Sequence, residues 1–167
     1  MATVFVDLQG LDSKWTNACR KAETELNTLF KRNGINVVLT LKGPQALSIT
    51  VITDPSIQGT AVHGRTSAET DASGRMLRST VRLPVNVSIS TPGGIRDAGM
   101  GPFEVIAAHE FVHALGHEPH NSMLMTRTWN KEPGDNAAGD ILRGTGVKMP
   151  PIMLSPESIS ILQGIWP

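Results

Sequence analysis

The sequence has no tyrosine, one cysteine and no excess of charge of either sign. Cys19 alone allows neither a disulfide framework nor a cysteine-based zinc knuckle. Fifteen basic residues balance fifteen acidic ones without any block of Lys or Arg, so we expect no nucleic-acid or anionic-membrane partner. No segment is apolar for long enough to span a bilayer, and the start, MATVFVDLQG, lacks the features of a secretory signal. These absences leave the localisation open.

What remains is a hydrophobic content of 40% over 167 residues, enough for one packed domain spanning 1–167. The hydrophobic periods predict an α+β fold with an α/β-type upper lobe (about 1–116) and a small irregular lower lobe (about 117–167). We expect a twisted mixed sheet, a long backing helix, a second long helix that carries several of the histidines, and a closing C-terminal helix. The predicted elements are a strand at 3–8, a helix at 14–31, strands at 35–41 and 46–53, a loop at 54–75, one or two strands within 74–90, a turn-rich stretch at 91–101, a helix from Pro102 to Gly116 and a helix at 154–166.

The segment AAHEFVHALGHEPHNSMLM (107–125) holds four of the five histidines. His109 and His113 are four residues apart on one predicted helix, so their imidazoles lie on the same face within reach of one cation. Glu110 is rotated away from that line, where it can contact a water on the metal without being a ligand. This H-E-x-x-H arrangement is typical of zinc sites in which the glutamate is a general base.

A catalytic zinc site takes three protein ligands and keeps one open position, so a third ligand is needed. If the helix continued to His117, that residue would lie ~12 Å along the axis from His109, too far for a shared ion. Gly116 lets the chain turn back instead, and Pro119 stiffens the approach of the next residue. His120 is therefore the favoured third ligand, and His117 is the alternative.

The helix sequence VIAAHEFVHALGH resembles the active-site helix of the metzincin metallopeptidases, most closely that of the matrixin branch (V-A-A-H-E-F-G-H-A-L-G). The resemblance implies zinc on His109, His113 and a third histidine, a catalytic Glu110 and a turn at Gly116. The closing segment LSPESISILQGIW is also similar to the last helix of matrixins. Together these motifs imply a zinc-dependent endopeptidase that hydrolyses peptide bonds in protein substrates.

Two further features bear on that resemblance. The stretch SMLM resembles the methionine turn that metzincins place beneath the metal, with Met125 the better candidate and Met123 the alternative. The family motif places its third histidine where this chain has Pro119, so His120 arrives one position late. Because the chain has no tyrosine, the zinc-directed tyrosine of astacins and serralysins is absent, and oxyanion stabilisation must come from the metal and backbone N–H groups.

The expected partner is an extended peptide bound by a monomer, paired with an exposed sheet edge within GRMLRSTVRL or VNVSIS. Two other interpretations stay open. The third ligand could be a distant glutamate, Glu157 or Glu132, as in gluzincins, or the protein could be a non-catalytic zinc-binding module. A bound Ca²⁺ is possible, but the spacing of the loop aspartates does not indicate it.

Overall fold

The computed structural model describes residues 1–43, 45–57, 64–91, 93–127 and 149–167. A short 3-10 helix, Met123–Met125, follows the second α-helix. The main elements are β1 (Ala2–Leu8), α1 (Ser13–Arg32), β2 (Val37–Leu41), β3 (Ser48–Thr53), β4 (Arg65–Thr70), β5 (Met76–Leu83), β6 (Ser88–Thr91), β7 (Gly94–Asp97), α2 (Met100–Ala114) and α3 (Pro156–Ile165). The predicted α+β class, with a mixed sheet, two long helices and a closing helix, is confirmed.

Within the described residues, the main sheet has five strands in the order β2-β1-β3-β5-β4. Strands β1, β2, β3 and β5 run parallel, and β4 pairs antiparallel with β5 at one edge. Parallel neighbours need a crossover connection, and α1 supplies the one between β1 and β2. Strands β6 and β7 form a separate antiparallel hairpin just before α2. This order places β4, and not β5, on the edge of the sheet.

Three sequence expectations are corrected here. The stretch 54–75 was expected to be loop, yet it contains β4, whose six residues RTSAET are almost all exposed. GRMLRSTVRL was a candidate edge, yet β5 lies between β3 and β4 and pairs with both. The turn-rich stretch 91–101 contains β7, which is also exposed along its length. Strands that are exposed on both faces carry no apolar alternation, so the period-2 signal is missing.

The core lies between the main sheet and the two long helices. Helix α1 contacts α2 and β2, and α2 contacts β4 and β5, so both helices cover one face of the sheet. Trp15 of α1 is fully buried there, its ring 4.5 Å from that of Phe103 in α2, and its indole N–H donates to the Pro84 carbonyl at 2.8 Å. Asp12 begins α1 by accepting a hydrogen bond from the Trp15 amide. The buried contact between α1 and α2 fixes the position of α2 over the sheet.

The closing helix α3 anchors the far end of α2. Ser155 caps α3 by accepting from the Ser158 amide, and Pro156 occupies its first turn. The indole N–H of Trp166 donates to the Leu115 carbonyl at 3.0 Å, just beyond the last residue of α2. Among the described residues no helix is both apolar and long enough to cross a membrane. The middle of the predicted lower lobe (128–148), with Glu132, lies outside the described residues.

Candidate metal centre

Three imidazoles converge beside α2. The Nε2 atom of His113 lies 3.0 Å from that of His109 and 3.3 Å from that of His120. His109, His113 and His120 form a group whose ligand atoms all lie within 4.8 Å of one another, and no fourth His, Cys, Asp or Glu joins it in the described part of the chain. The structure therefore brings together the three histidines that the sequence favours. His117 and Glu157 are not in the group, and His63 and Glu132 lie outside the described residues.

The other nitrogen of two of these rings is held by a backbone carbonyl. His109 Nδ1 lies 2.7 Å from the Leu124 oxygen, and His113 Nδ1 lies 2.6 Å from the His117 oxygen. A carbonyl only accepts, so Nδ1 carries the hydrogen in both rings and the neutral ring keeps its lone pair on Nε2. Burial lowers the pKa of His113 to about 4, so this ring is neutral at physiological pH.

Imidazoles whose Nε2 atoms converge in this way fit a metal ion. Without a cation, Nε2 atoms this close would repel each other as hydrogen-bond acceptors. Tetrahedral zinc with bonds of about 2.0–2.1 Å holds neighbouring nitrogens about 3.3 Å apart, close to the 3.0 and 3.3 Å between these rings. Anchoring of Nδ1 by carbonyl oxygens is also the usual outer support of zinc-binding histidines. The donor set and its support thus suit zinc.

The reversal after α2 explains why His120 joins the group and His117 does not. Gly116 has φ +99°, in the left-handed region, and a Cβ there would lie 3.0 Å from the Gly74 carbonyl oxygen, so this turn requires glycine. The chain then contributes the His117 carbonyl to His113 while the His117 ring is fully buried. Three residues later His120 returns, exposed, to the face of His113.

Glu110 lies next to this group on α2 and is 5% exposed. Its Oε2 accepts a hydrogen bond of 2.5 Å from the Thr66 hydroxyl of β4. Thr66 pairs with Val81 of β5, which is buried beneath the helices, so the Thr66 side chain points to the same face as α2. Burial raises the pKa of Glu110 to about 7, although the hydrogen bond from Thr66 acts in the opposite direction. Sequence reasoning missed Thr66 because it assigned this stretch to a loop.

We expect this buried carboxyl to lower the stability of the metal-free protein as pH rises. Because the pKa of Glu110 is raised in the folded state, its contribution to the free energy of unfolding is fully present below pH 4.5 and is lost as pH rises through about 7. The difference between the pKa of 4.5 and the raised pKa of about 7 corresponds to about 3 kcal/mol of unfolding free energy. Glu110→Gln should therefore gain about that much unfolding free energy over wild type between pH 4.5 and 8, measured by urea unfolding with a chelator present.

The free energy of unfolding of Glu110→Gln is compared with that of wild type at each pH because His113 changes the stability in the opposite direction. Its lowered pKa makes the folded state lose stability as pH falls from 6.5 towards 4. That contribution is common to wild type and Glu110→Gln, so it cancels when one curve is subtracted from the other. A difference that stays constant across this pH range would show that the carboxyl of Glu110 is not desolvated.

An open cleft of about 390 Å³ lies in front of the histidine group. Its lining is shared between β4, the face of α2 and the segment after Gly116: Gly64, Arg65, Thr66, Ala68, Thr70, His109, Glu110, His113, Gly116, Glu118 and His120. Below α2, Met125 is fully buried in the short 3-10 helix whose Leu124 carbonyl holds His109. The histidine group and Glu110 are thus reachable from solvent through a cleft bounded on one side by the edge strand.

No protein-family model matches the chain, and no curated protein matches its sequence. Among solved structures, the chain is similar to high choriolytic enzyme 1, a hatching-enzyme zinc protease from Oryzias latipes (medaka fish). The identity is 11% and the TM-score 0.45, over 98% of this chain and 88% of the other.

Proposed function

We propose that this chain is a zinc-dependent endopeptidase of metzincin type, with the whole of 1–167 as its catalytic domain. The observation that carries the proposal is the convergence of three imidazole Nε2 atoms beside the buried carboxyl of Glu110. Three protein ligands with an open side are typical of catalytic zinc, whereas structural sites are closed by four. The resemblance of α2 and of the closing segment to matrixins supports that branch, and Met125 is its methionine-turn residue.

His109, His113 and His120 would hold the ion. Zinc at this position supplies Lewis acidity, which makes water more acidic and polarises a peptide carbonyl. Glu110 takes the proton of the attacking water and later delivers it to the leaving amine. A carboxyl whose pKa lies near neutrality suits both transfers, and burial raises the pKa of Glu110 to about 7 in the metal-free chain.

The substrate would be an extended peptide lying along β4. Strand β4 ends the sheet order and pairs only with β5 among the described strands, so its outer backbone groups are available to a peptide. Addition of a strand in this way gives affinity through main-chain hydrogen bonds and places few demands on substrate sequence. It would carry the scissile bond across the cleft in front of His109 and Glu110.

The proposal is tested with zinc-loaded protein and a mixed library of peptides blocked at both ends, so that only internal cleavage yields products. We expect internal cuts that stop when a chelator removes the metal and resume when zinc is restored. Mass spectrometry of the products identifies the cut bonds. A chain that binds one zinc ion tightly yet leaves every blocked peptide intact would instead be a zinc-binding module.

A further inference from the structure

Two residues of the cleft, Thr66 and Gly64, lie against Glu110 but are not metal ligands and do not transfer a proton in the proposed reaction. Its carboxyl is buried, and within the described residues it has one hydrogen-bond donor, the hydroxyl of Thr66, on Oε2. The same hydroxyl lies 3.4 Å from the Glu110 backbone oxygen. No cation lies against this carboxyl among the described ion pairs. Among the described residues, the Thr66 hydroxyl is therefore the hydrogen-bond donor that orients the carboxyl.

Gly64 packs against the same carboxyl. A Cβ at this position would lie 2.7 Å from Cγ, Cδ and Oε1 of Glu110, closer than real carbon contacts allow. The backbone of residue 64 therefore packs directly on the carboxyl, and only glycine leaves room for it. Thr66 holds Oε2 by a hydrogen bond, and the backbone of Gly64 limits movement next to Oε1. Gly64 directly precedes the edge strand, and Thr66 is its second residue.

We propose that Thr66 and Gly64 are positioning residues that fix the Glu110 carboxylate, with Oε2 held by Thr66 and Oε1 left to take the proton. This deepens the proposed function and rests on it. A general base must lie within hydrogen-bond reach of the proton it removes, so a carboxylate that rotates freely loses rate even when its chemistry is intact. No described residue donates to Oε1, and Glu110 lines the cleft.

The position of Thr66 on β4 gives this arrangement a further consequence. The strand proposed to pair with the peptide is the strand that holds the base. Pairing along β4 orders the backbone on both sides of Thr66, so longer peptides should raise kcat as well as lower KM. The hydroxyl of Thr66 thereby links occupancy of the edge strand to the orientation of Glu110.

The test uses four variants of the zinc-loaded chain: Thr66→Val, which removes the hydroxyl at constant shape, Thr66→Ser, which keeps it, Gly64→Ala, and Ser67→Ala as the control. Ser67 is exposed on the same strand and pairs with Thr80, so its side chain points away from α2. We expect kcat to fall about 10- to 100-fold in Thr66→Val, the range for loss of a hydrogen bond to a charged group, with KM unchanged. Thr66→Ser should stay within about threefold of wild type, and Gly64→Ala should fall at least as far as Thr66→Val.

A second readout does not depend on activity. Glutamate carboxyl carbons are labelled with ¹³C, and Glu110→Gln identifies the signal of Glu110 by its loss. Thr66→Val should shift and broaden this signal in both metal-free and zinc-loaded protein, whereas Thr66→Ser and Ser67→Ala should leave it in place. Zinc content and thermal midpoint, measured on each variant, separate a local change from general unfolding.

The outcomes distinguish the two proposals. If wild type cleaves peptides and Thr66→Val matches it in kcat and in the ¹³C signal, the positioning role is wrong and the peptidase stands. If no variant cleaves peptides but the ¹³C signal moves in Thr66→Val and not in Thr66→Ser, the positioning of Glu110 stands and the peptidase is wrong. Equal loss of kcat in Thr66→Val and Thr66→Ser, with zinc content intact, would also overturn the role of the hydroxyl.

Discussion

Glu110→Gln should abolish peptide cleavage while the chain keeps its zinc. Glutamine has the shape of glutamate and its carbonyl oxygen can still accept from Thr66, but it cannot take a proton at neutral pH. Loss of a general base costs about 10²- to 10⁴-fold in rate. Because Glu110 is not in the histidine group, zinc per chain should be unchanged. Both quantities are measured on the same dialysed samples, one by metal analysis and the other by cleavage of a blocked peptide.

The matched control is Glu118→Gln. Among the described residues that line the cleft, Glu118 is the second carboxylate, and it is exposed. Its replacement by glutamine changes the net charge of the protein by the same amount as Glu110→Gln. We expect its cleavage rate to stay within about threefold of wild type, because an exposed charge of this kind acts weakly across water. If Glu110→Gln cleaved as fast as wild type with its zinc in place, proton transfer by Glu110 would be wrong. If both variants lost activity equally, the general negative charge of the cleft would be the cause.

Two of the three members of the histidine group follow from helical geometry alone. His109 and His113 are four residues apart on a helix of uniform apolar character, so their convergence needs no knowledge of tertiary structure. The third member depends on the angle at which the chain reverses at Gly116, and a left-handed glycine permits several angles. The sequence therefore favours His120 and keeps His117 as the alternative, and in the structure the His117 ring is buried and is not part of the histidine group.

The surroundings of Glu110 were not predictable for a different reason. Thr66 and Gly64 lie 44 and 46 residues before Glu110 in the chain, and they meet it only because β4 closes the sheet above α2. Strand order is set by pairing between distant segments, which local periodicity does not encode. In addition, β4 carries no buried apolar residue, so RTSAET has no alternation of apolar and polar residues that would distinguish it from the polar loop around it. For that reason the sequence places the candidate edge in the more apolar GRMLRSTVRL or VNVSIS instead.

The elements that were predicted well share a clear local cause. Helix α1 begins at a side-chain cap on Asp12 and repeats its apolar residues at helical spacing up to Phe30. Helix α3 begins with Ser155 and Pro156, a cap followed by a proline in the first turn. Such signals are independent of the rest of the fold. The candidate site, in contrast, is built from a local motif on α2 and from β4, which lies beside α2 only because it pairs with β5 in the sheet.

His120→Ala should cost the chain its zinc, whereas His117→Ala should not. Removal of one of three imidazoles leaves two ligands, and loss of a supporting outer group alone already costs about 10- to 100-fold in metal affinity. The loss on removing a direct ligand should exceed about 100-fold. In His117→Ala the backbone carbonyl that holds His113 remains, because the substitution changes only the side chain. Zinc per chain after dialysis against a chelator of known affinity, measured for wild type and both variants, tests the difference.

Stability must be followed at the same time, because His117 is fully buried and its truncation leaves a cavity. We expect His117→Ala to have a lower thermal midpoint without metal and to regain stability when zinc binds, since binding to the folded state alone raises its stability. His120 is exposed, so His120→Ala should keep the metal-free midpoint and gain little from zinc. A ligand and a packing residue are thus distinguished by the metal-free thermal midpoint and by the stability gained from zinc, which should change in opposite ways in the two variants. If both retained zinc with wild-type affinity, the third ligand would lie elsewhere, and Glu157 and Glu132 would be the residues to replace next.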